Sequence, residues 1–575
     1  MSRSTRTRSG ARTGAELTRR GVFGVGAAGL AAACATDGTG KAAYAGKATF
    51  NHGVASGDPR QDRVVIWTRV TPEAPGVVPV NWSVARDPGF KDVVRKGVFN
   101  TGPERDYTVK VDVDGLQPGQ NYYYWFFAGK AVSPGGVTRT LPASGTAEFK
   151  IAVVSCSNWP FGYFNAYREI ARRNDVHAVM HTGDYIYEYD VNGYGGAVGK
   201  ALGRNHEPPT ECLKLDDYRK RYGQYRSDPD LQAAHAVAPW FCTWDDHESA
   251  NNSHANGAEN HQVETEGDWA ARKSAAVQVY LEWMPVRDPE PGRPREAIYR
   301  KFDIGDLATV FLLETRLIAR GDDLTADEVS MAPAADKAKV AKALMAKVND
   351  PARTLMGPEQ EAWLAEGLKA STSAGKKWQV LGNQVTMAKV KAPDLKANLS
   401  AEQYGQIADG LKNWSANAKL GLPWNLDAWG GYPAARERLY ASARAAGARL
   451  VTLTGDTHTA WANELFDAGG RRWGVEFGCT SVTSPGMGGE RMPFQEINWL
   501  MAEANDEVVY HNAFDKGYTV LTLRETEVEA DFVKVSTIAS REYFASSDAR
   551  FIARQAEVGM GGLQRPMGGG TVKSG

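Results

Sequence analysis

Short runs of alternating apolar and polar residues fill the chain between residues 50 and 146. Examples are RVVIWTRV, VPVNWSVA, YTVKVDV and NYYYWFFA, and turn-forming stretches such as PEAPG, LQPGQ and PASG lie between them. Alternation places every second side chain on the same face of a strand, and several short strands at this spacing are typical of a β-sandwich. The pattern therefore predicts an all-β sandwich in this region.

The pattern changes at residue 149. FKIAVVSC and HAVMHTGD are nearly continuous apolar runs, and FNAYREIARR between them has helical periodicity. Similar buried-strand runs recur at DLATVFLLETR, KWQVLGNQV and ARLVTLTGDTH, with helical stretches such as PAADKAKVAKALMAKV and GPEQEAWLAEGLKAS between them. Strands that are apolar throughout are buried on both faces, so the pattern predicts a layered α/β domain.

Composition supports a globular protein. The chain has 575 residues, of which 42% are hydrophobic, so it can bury a large core without crosslinks. Its net charge is −1, but residues 1–33 contain six arginines and one glutamate, which leaves −6 on the remainder. This balance gives no indication of a nucleic-acid-binding surface.

The N-terminus resembles a twin-arginine export signal. Arg19 and Arg20 precede an apolar run over residues 21–33 that is too short to span a membrane. Two cleavage sites fit the pattern. One follows the Ala43-Tyr44-Ala45 stretch, and the other precedes Cys34 and would give a lipid-anchored form. We predict delivery by the twin-arginine translocation machinery to the periplasm or medium, with no transmembrane span in the mature protein. The alternative is a disordered basic tail.

Four cysteines follow Cys34, and they have no CxxC spacing. The pattern excludes a zinc ribbon and a disulfide framework, but it leaves a single disulfide open, for example between Cys212 and Cys242. A segment near the C-terminus, REYFASSDARFIARQ, has two interpretations: a lid over a site, or a segment that docks on the domain or frays.

Polar residues follow four of the apolar runs. Cys156 follows IAVVS, Asp184 follows HAVMHTG, and Asp456 with His458 follows RLVTLTG, while the fourth run, APWFCTW, leads into four residues: Asp245, Asp246, His247 and Glu248. Ligands of layered α/β domains bind at the carboxyl ends of strands. We therefore expect these residues to converge on one site.

Carboxylate, imidazole, thiolate and phenolate groups are the donors that transition metals take, and additional carboxylates suit calcium. Iron(III) is the ion that binds a thiolate and a phenolate together most favourably, so one iron(III) ion would explain both Cys156 and Tyr187. Each residue has a simpler alternative: Cys156 as a core residue, Asp184 as a helix cap, and Tyr187 as a packing residue. The recurrence of acids at four strand ends favours a metal site.

The motifs SC, GDYIYEY, WDDHE, LGNQ and LTGDTHTAW, in this order, resemble the PhoD family of alkaline phosphatases. The resemblance runs from VASGDP at 54–59 almost to the C-terminus. It implies a two-sheet αββα metallophosphoesterase-like catalytic domain, similar in plan to purple acid phosphatases, behind an all-β sandwich. The expected division is a signal and linker at 1–45, the sandwich at 46–146, and the catalytic domain with a C-terminal extension at 147–575.

The resemblance also implies a centre of iron(III) and calcium that hydrolyses small phosphate esters, with hydroxide attacking in line at phosphorus. It assigns iron to four residues, of which Asp184 would bridge to calcium: Cys156, Asp184, Tyr187 and His458. Asp246, Asp456 and Asp245 would face calcium.

Three further residues are expected at the substrate. His247 would protonate the leaving group, and its alternative role is to hold a metal-bound carboxylate. Asn383 and Arg316 end apolar runs and are candidates for contacting the phosphate.

Two other functions stay open at this point. The same metal chemistry serves a phosphodiesterase or phospholipase D-like hydrolase. From a different class, the chain could be an exported binding protein whose acids hold structural calcium. A structural calcium site has no use for the Cys156 thiol or the His458 imidazole, so these two residues discriminate against it.

Overall fold

The structure is a computed structural model that describes residues 44–566. The predicted export signal, including Arg19, Arg20 and Cys34, lies outside this range. Within residues 44–566, no helix combines the length and apolar character needed to cross a membrane.

The region up to residue 146 is built from short strands, as its alternating pattern predicts. Two layers of strands enclose a core that includes Val64, Ile66, Val80, Val109 and Phe126. The strands are β1 (Ala48–Thr49), β2 (Val54–Gly57), β3 (Val64–Arg69), β4 (Thr71–Pro72), β5 (Val78–Ala85), β6 (Val93–Thr101), β7 (Thr108–Val113), β8 (Asn121–Ala128), β9 (Ala131–Val132) and β10 (Gly136–Arg139).

The strands from residue 148 onward include the six that the apolar runs of the sequence predict, at 148–154, 178–181, 240–242, 308–312, 378–382 and 450–454. The strands of this region are β11 (Glu148–Val154), β12 (Ala178–His181), β13 (Trp240–Cys242), β14 (Arg300–Ile304), β15 (Ala308–Leu312), β16 (Trp378–Gly382), β17 (Leu450–Thr454), β18 (Ala460–Phe466), β19 (Arg472–Gly478), β20 (Val508–Asn512), β21 (Lys516–Arg524), β22 (Glu527–Val535) and β23 (Ala545–Arg554).

Helices cover the outer faces of these strands. They are α1 (Asn165–Arg172), α2 (Gly196–Leu202), α3 (Leu215–Arg226), α4 (Pro229–Val237), α5 (Val263–Glu266), α6 (Trp269–Trp283), α7 (Asp327–Met331), α8 (Lys337–Val348), α9 (Gly357–Ser373), α10 (Leu395–Asn398), α11 (Ala401–Gln406), α12 (Asp409–Ala418), α13 (Pro433–Ala446) and α14 (Glu496–Glu503).

Local sequence explains where several helices begin and end. The Asp228 side chain accepts hydrogen bonds from the backbone N–H groups of Asp230 and Leu231, and Pro229 occupies the first position of α4, where no N–H is needed. Helix α13 likewise begins at a proline, Pro433, and it ends at Ala446, which Gly447 follows with a φ of 62° in the left-handed region.

Two large sheets form the catalytic layers. One has the strand order β23-β22-β21-β11-β12-β13-β2-β3-β7, and the other has the order β14-β15-β16-β17-β19-β18-β20. A core between them contains side chains from both, including Val153, Met180, Val380 and Leu453. Helices pack on the outer face of each sheet through separate cores. The predicted αββα architecture is confirmed.

The first large sheet also includes three strands of the N-terminal region. Gly57 in β2 pairs in parallel with Trp240 in β13, and β3 and β7 continue the sheet. The second N-terminal layer is the five-stranded sheet of β5, β6, β8, β9 and β10. One layer of the sandwich is therefore continuous with the catalytic sheet, a connection that the alternating pattern does not reveal.

The structure answers two questions that the sequence left open. Cys156, Cys212, Cys242 and Cys479 are all free and buried, so the disulfide between Cys212 and Cys242 is absent from the described part of the chain. The C-terminal segment pairs with β22 as strand β23 from Ala545 to Arg554, at the edge of the sheet. It is a sheet strand in this structure, which contradicts its interpretation as a lid.

Candidate metal centre

The four polar strand ends meet at one edge of the two sheets. Strands β11, β12 and β13 run parallel in the first sheet, and β17 belongs to the parallel part of the second. Their carboxyl ends therefore point the same way within each sheet, and the loops that follow them bring the predicted residues together.

Three overlapping groups of ligand atoms result, each with its atoms within 4.8 Å of one another. The groups are Cys156, Asp184 and His458; Asp184, Asp246 and His247; and Asp245, Asp246 and Asp456. Asp184 joins the first group to the second, and Asp246 joins the second to the third. The thiol lies at one end of this row, and the third group contains only carboxylates.

Four of these candidate ligands have a backbone conformation that residues other than glycine rarely adopt. Cys156, Asp184, Asp456 and His458 have φ values of 59°, 57°, 62° and 61°. Non-glycine residues with positive φ cluster at functional sites, where the surrounding structure holds them. Here the Cys156 N–H donates to the carbonyl of Gly183, which ties the end of β11 to the end of β12.

The glycine before each of two ligands allows the strand ends to approach closely. A Cβ atom on Gly183, whose φ is 114°, would lie 2.3 Å from the Asp245 Cβ. A Cβ atom on Gly455 would lie 2.5 Å from the Ser155 Oγ. The Gly-Asp pairs of GDYIYEY and LTGDTH are therefore needed for packing as well as for the carboxylate that follows.

Tyr187 lies at the first group through its hydroxyl. Its Oη donates to the Asp184 Oδ2 at 2.8 Å, accepts from the Ser484 Oγ at 2.7 Å and lies 3.1 Å from the His458 Nε2. Burial raises the pKa of the Tyr187 phenol and of the Cys156 thiol well above their ordinary values. Both would need a bound cation to become anionic ligands.

His458 presents one nitrogen to this group. Its Nδ1 lies 2.9 Å from the carbonyl oxygen of Pro485, so Nδ1–H is the donor and Nε2 is free to accept a ligand. Burial and the nearby Lys516 lower the pKa of His458 to about 3. The imidazole is therefore neutral, as metal coordination requires.

The carboxylates of the site fit a cation. Asp184 Oδ1 and Asp245 Oδ2 are buried and have no hydrogen-bond partner within residues 44–566. Burial raises the pKa of Asp184 and Asp456 well above the usual range, and that of Asp245 to about 7. Buried oxygens without donors, crowded together, are stabilised when a metal ion supplies the missing positive charge.

Arg316 lies behind the carboxylates, fully buried. Its Nε donates to Asp245, one terminal nitrogen donates to both Asp427 oxygens at 2.8 and 2.9 Å, and the other donates to Asp456 at 3.3 Å. These bonds hold carboxylates in place and engage most of its donors. They favour a role as a buried counter-ion over the predicted contact with phosphate.

His247 is fixed by a residue that we did not predict. Its Nδ1 lies 2.7 Å from the Glu188 Oε2, while the other Glu188 oxygen accepts from the Asn251 N–H and the Asn260 side chain. Burial alone would lower the pKa of His247, but Asp246, Glu188 and Asp184 raise it well above its ordinary value. The charged imidazole is thus stabilised, with Nε2 left for the site.

The side chain of Asn383 forms its hydrogen bonds with Val385 and Trp429, which are not candidate metal ligands. Its Nδ2 donates to the Val385 carbonyl at 2.7 Å, and its Oδ1 accepts from Trp429 at 3.4 Å. These bonds hold the loop after β16. Its predicted contact with substrate has no support in these contacts and stays a prediction.

Three further residues support the ligands. Glu248 accepts from the backbone N–H groups of Asp184, Tyr185 and Asp245, and Ser484 and Asp427 bind Tyr187 and Arg316. Glu188 and Glu248 belong to the motifs GDYIYEY and WDDHE, so their positions in the sequence are a usable signal. Ser484 and Asp427 follow no motif and are brought to the site only by the fold.

A two-sheet αββα domain with carboxylate, imidazole, thiol and phenol groups at its strand ends defines a metallophosphoesterase. Residues 151–532 match the PhoD-like phosphatase family, and residues 33–142 match the PhoD-like phosphatase N-terminal domain. The chain belongs to the PhoD-like phosphatase family and is a metal-dependent phosphoesterase of the alkaline phosphatase type.

Individual relatives agree with this assignment. Alkaline phosphatase D of Bacillus subtilis (strain 168) is 35% identical over 526 residues, which cover 89% of this chain and 82% of that protein. A solved structure of PhoD has a TM-score of 0.74 and 32% identity, and the match covers 93% of this chain and 94% of that one. The calcium-stabilised binding protein is therefore not the function of this chain.

Proposed function

We propose that this phosphatase holds iron(III) and calcium and hydrolyses small phosphate monoesters outside the cytoplasm. The observation that carries the metal assignment is the unequal distribution of donors along the site. Cys156, Tyr187 and His458 surround one side of Asp184, whereas Asp245, Asp246 and Asp456 form a carboxylate group. Soft and phenolic donors suit iron(III), and an all-oxygen set suits calcium.

The donor set fits both ions. Cys156, Tyr187, His458 and Asp184 would hold iron, and Asp246, Asp456 and the unpaired oxygen of Asp245 would face calcium, with Asp184 between the two. When bound, such a metal pair neutralises charge on the phosphate and lowers the pKa of water, so that hydroxide is available for attack.

The residues of this chain then supply position and a proton. Glu188 holds the Nδ1 side of His247, so the other ring nitrogen faces the site and can give its proton to the departing oxygen. Arg316 donates hydrogen bonds to Asp245 and Asp456 and so fixes the orientation of both carboxylates. The substrate phosphate would bind at the cations that these carboxylates hold.

Metal content and colour test the iron assignment. A thiolate or phenolate on iron(III) absorbs visible light, so the purified enzyme should be coloured and contain close to one iron per chain. Tyr187→Phe should shift or bleach the band, and Cys156→Ser should weaken iron retention. A colourless, iron-free enzyme with full activity would overturn the assignment.

Chelation tests calcium separately. Activity should disappear with a chelator and return with calcium, whereas zinc should replace it poorly because the third group contains only carboxylates. Recovery with zinc alone would contradict the calcium assignment. Comparing p-nitrophenyl phosphate with bis-p-nitrophenyl phosphate in the same assay separates monoesterase activity from the phosphodiesterase alternative, which predicts faster cleavage of the diester.

A further inference from the structure

A cavity of about 470 Å³ lies where the N-terminal strands meet the catalytic domain. Its walls come from the short 3-10 helix Pro103–Arg105, strand β7, helix α6 and the loop at 288–295. Cavities of this size at a boundary between structural units are common places for small ligands. None of the lining residues is hydrogen-bonded or ion-paired to a candidate metal ligand within residues 44–566.

Part of the charge in this cavity is already neutralised. The Lys110 Nζ donates to the Asp288 Oδ1 at 2.7 Å and to the Leu281 carbonyl at 2.6 Å. Glu282 accepts two bonds from Arg219, at 2.7 and 2.8 Å. Because the charges in these pairs cancel, the net charge of the cavity depends on the other lining residues.

Three arginines of the lining have no carboxylate partner. Arg105, Arg293 and Arg295 form no ion pair within residues 44–566, while Glu290 is the acidic lining residue left without one. The unpaired charge of the cavity is therefore close to +2. A dianion would match it.

Aromatic rings hold two of these guanidinium groups in place. Arg105 lies over the ring of Phe99 at 4.7 Å, and Arg293 lies over the ring of Tyr299 at 4.4 Å. The Arg105 Nε and one terminal nitrogen of Arg293 are buried and have no hydrogen-bond partner within the described residues. Guanidinium groups that are fixed by stacking and short of acceptors are prepared to bind an anion.

We propose that this cavity binds a phosphoryl dianion at a site separate from the metal centre. Guanidinium groups match phosphate oxygens in paired hydrogen bonds, and a doubly charged phosphoryl group matches the unpaired charge. Inorganic phosphate and phosphate monoesters share this chemistry. Because both are present wherever a phosphatase acts, the ligand would be the enzyme's own product or a substrate-like ester.

Phosphate binding to the metal-loaded enzyme tests the site. Calorimetric titration with inorganic phosphate should give two binding events per chain, of which a chelator removes the one at the metal centre. Arg105→Gln combined with Arg293→Gln should weaken the chelator-resistant event about tenfold or more, since each charge-assisted hydrogen bond is worth about that factor. Arg86→Gln, an exposed change directly after β5 and outside the cavity lining, should alter neither event.

A third variant guards against misfolding. Arg295 is exposed, so Arg295→Gln should keep the fold and still weaken the chelator-resistant event. Activity of these variants at low phosphate should stay unchanged, because the metal centre is intact. A wild type with no chelator-resistant binding, or variants that bind as the wild type does, would overturn the proposal.

Two further measurements distinguish the sources of the ligand. Phenylphosphonate, a stable ester-like dianion, should bind the cavity more tightly than inorganic phosphate if substrate-like esters are the ligand, and less tightly if the product is. Crystals soaked in tungstate should show the metal oxyanion beside Arg105 and Arg293. Tungstate at the metal centre alone would contradict the site.

Discussion

Backbone strain and buried charge are concentrated in the same few residues. Cys156, Asp184, Asp456 and His458 all have positive φ, at a cost of about 1–3 kcal/mol each. The loops are held by contacts such as the hydrogen bond from the Ser157 N–H to the Asp184 carbonyl. Strain that is maintained at four candidate ligands of one site is expected where donor atoms must be placed before a metal arrives.

The role of His247 predicts a dependence on the leaving group. His247→Ala should lower kcat by roughly 10²- to 10⁴-fold on an alkyl phosphate, whose departing oxygen needs a proton. The loss should be much smaller on p-nitrophenyl phosphate, whose leaving group needs none. Steady-state kinetics on the two substrates give the comparison. Equal losses would instead indicate that His247 holds a metal-bound carboxylate in position, as its place in the group with Asp184 and Asp246 permits.

The buried position of Arg316 predicts a large effect on stability. Arg316→Met would leave Asp245 buried and Asp456 partly buried without their counter-ion, while Arg320 still pairs with Asp427, so the free energy of unfolding should fall by about 3–5 kcal/mol in chelated enzyme. Urea denaturation measures the change. Arg86→Met removes a solvent-exposed ion pair and should change stability little. Similar small effects for both variants would contradict the counter-ion role.

The elements of the N-terminal region show how local pattern and tertiary pairing differ. The alternating runs predict β3, β5, β7 and β8, and each is a strand in the structure. Their partners divide between two sheets: β3 and β7 extend the catalytic sheet, and β5 and β8 form the other layer. The parallel contact of β2 with β13 joins the two regions.

This junction is tightly packed at Gly57. A Cβ atom there would lie 2.3 Å from the Pro285 carbonyl oxygen and 2.8 Å from that of Trp240. Gly57→Ala should therefore lower the free energy of unfolding by about 1–3 kcal/mol or more, because backbone would have to move. Gly405→Ala in α11 is the matched control, since nothing lies within 4 Å of its added Cβ, and it should cause no loss. Thermal or urea unfolding of both variants measures the change in the free energy of unfolding.

At the scale of the whole molecule, the free cysteines support folding before export. All four cysteines of the described residues are buried and reduced, so the fold requires no oxidising compartment. A twin-arginine route carries folded proteins, and a metal centre assembled from residues 156 to 458 requires the folded chain. The export proposal and the metal proposal are therefore consistent with each other.

Replacing Arg19 and Arg20 by lysine should leave the precursor in the cytoplasm, because the arginine pair is the feature that the export receptor recognises. Fractionation and immunoblotting measure the distribution. The same protein with Arg12→Lys keeps the pair and should be exported normally. Unchanged delivery of the Arg19 and Arg20 variant would exclude the twin-arginine route.

From the sequence alone, the buried strands of the parallel layers, the helices α1, α8 and α9, and the residue types of the candidate metal ligands could be predicted. Apolar runs and alternation reflect burial along a single segment, so β11, β12 and β17 could be predicted from their own residues. A polar residue directly after a buried strand must lie at its carboxyl end, which placed Cys156, Asp184 and Asp456 correctly.

Only the tertiary structure decided how these segments meet. The sheet that joins β2 to β13, the inward orientation of Arg316, the bonds that occupy Asn383 and the contacts of Ser484 and Asp427 all depend on residues distant in the chain. Periodicity records whether a side chain is buried but not which side chain it is buried against. Hydrogen bonds and ion pairs between distant segments are therefore set when the layers pack, and a single sequence carries no local sign of them.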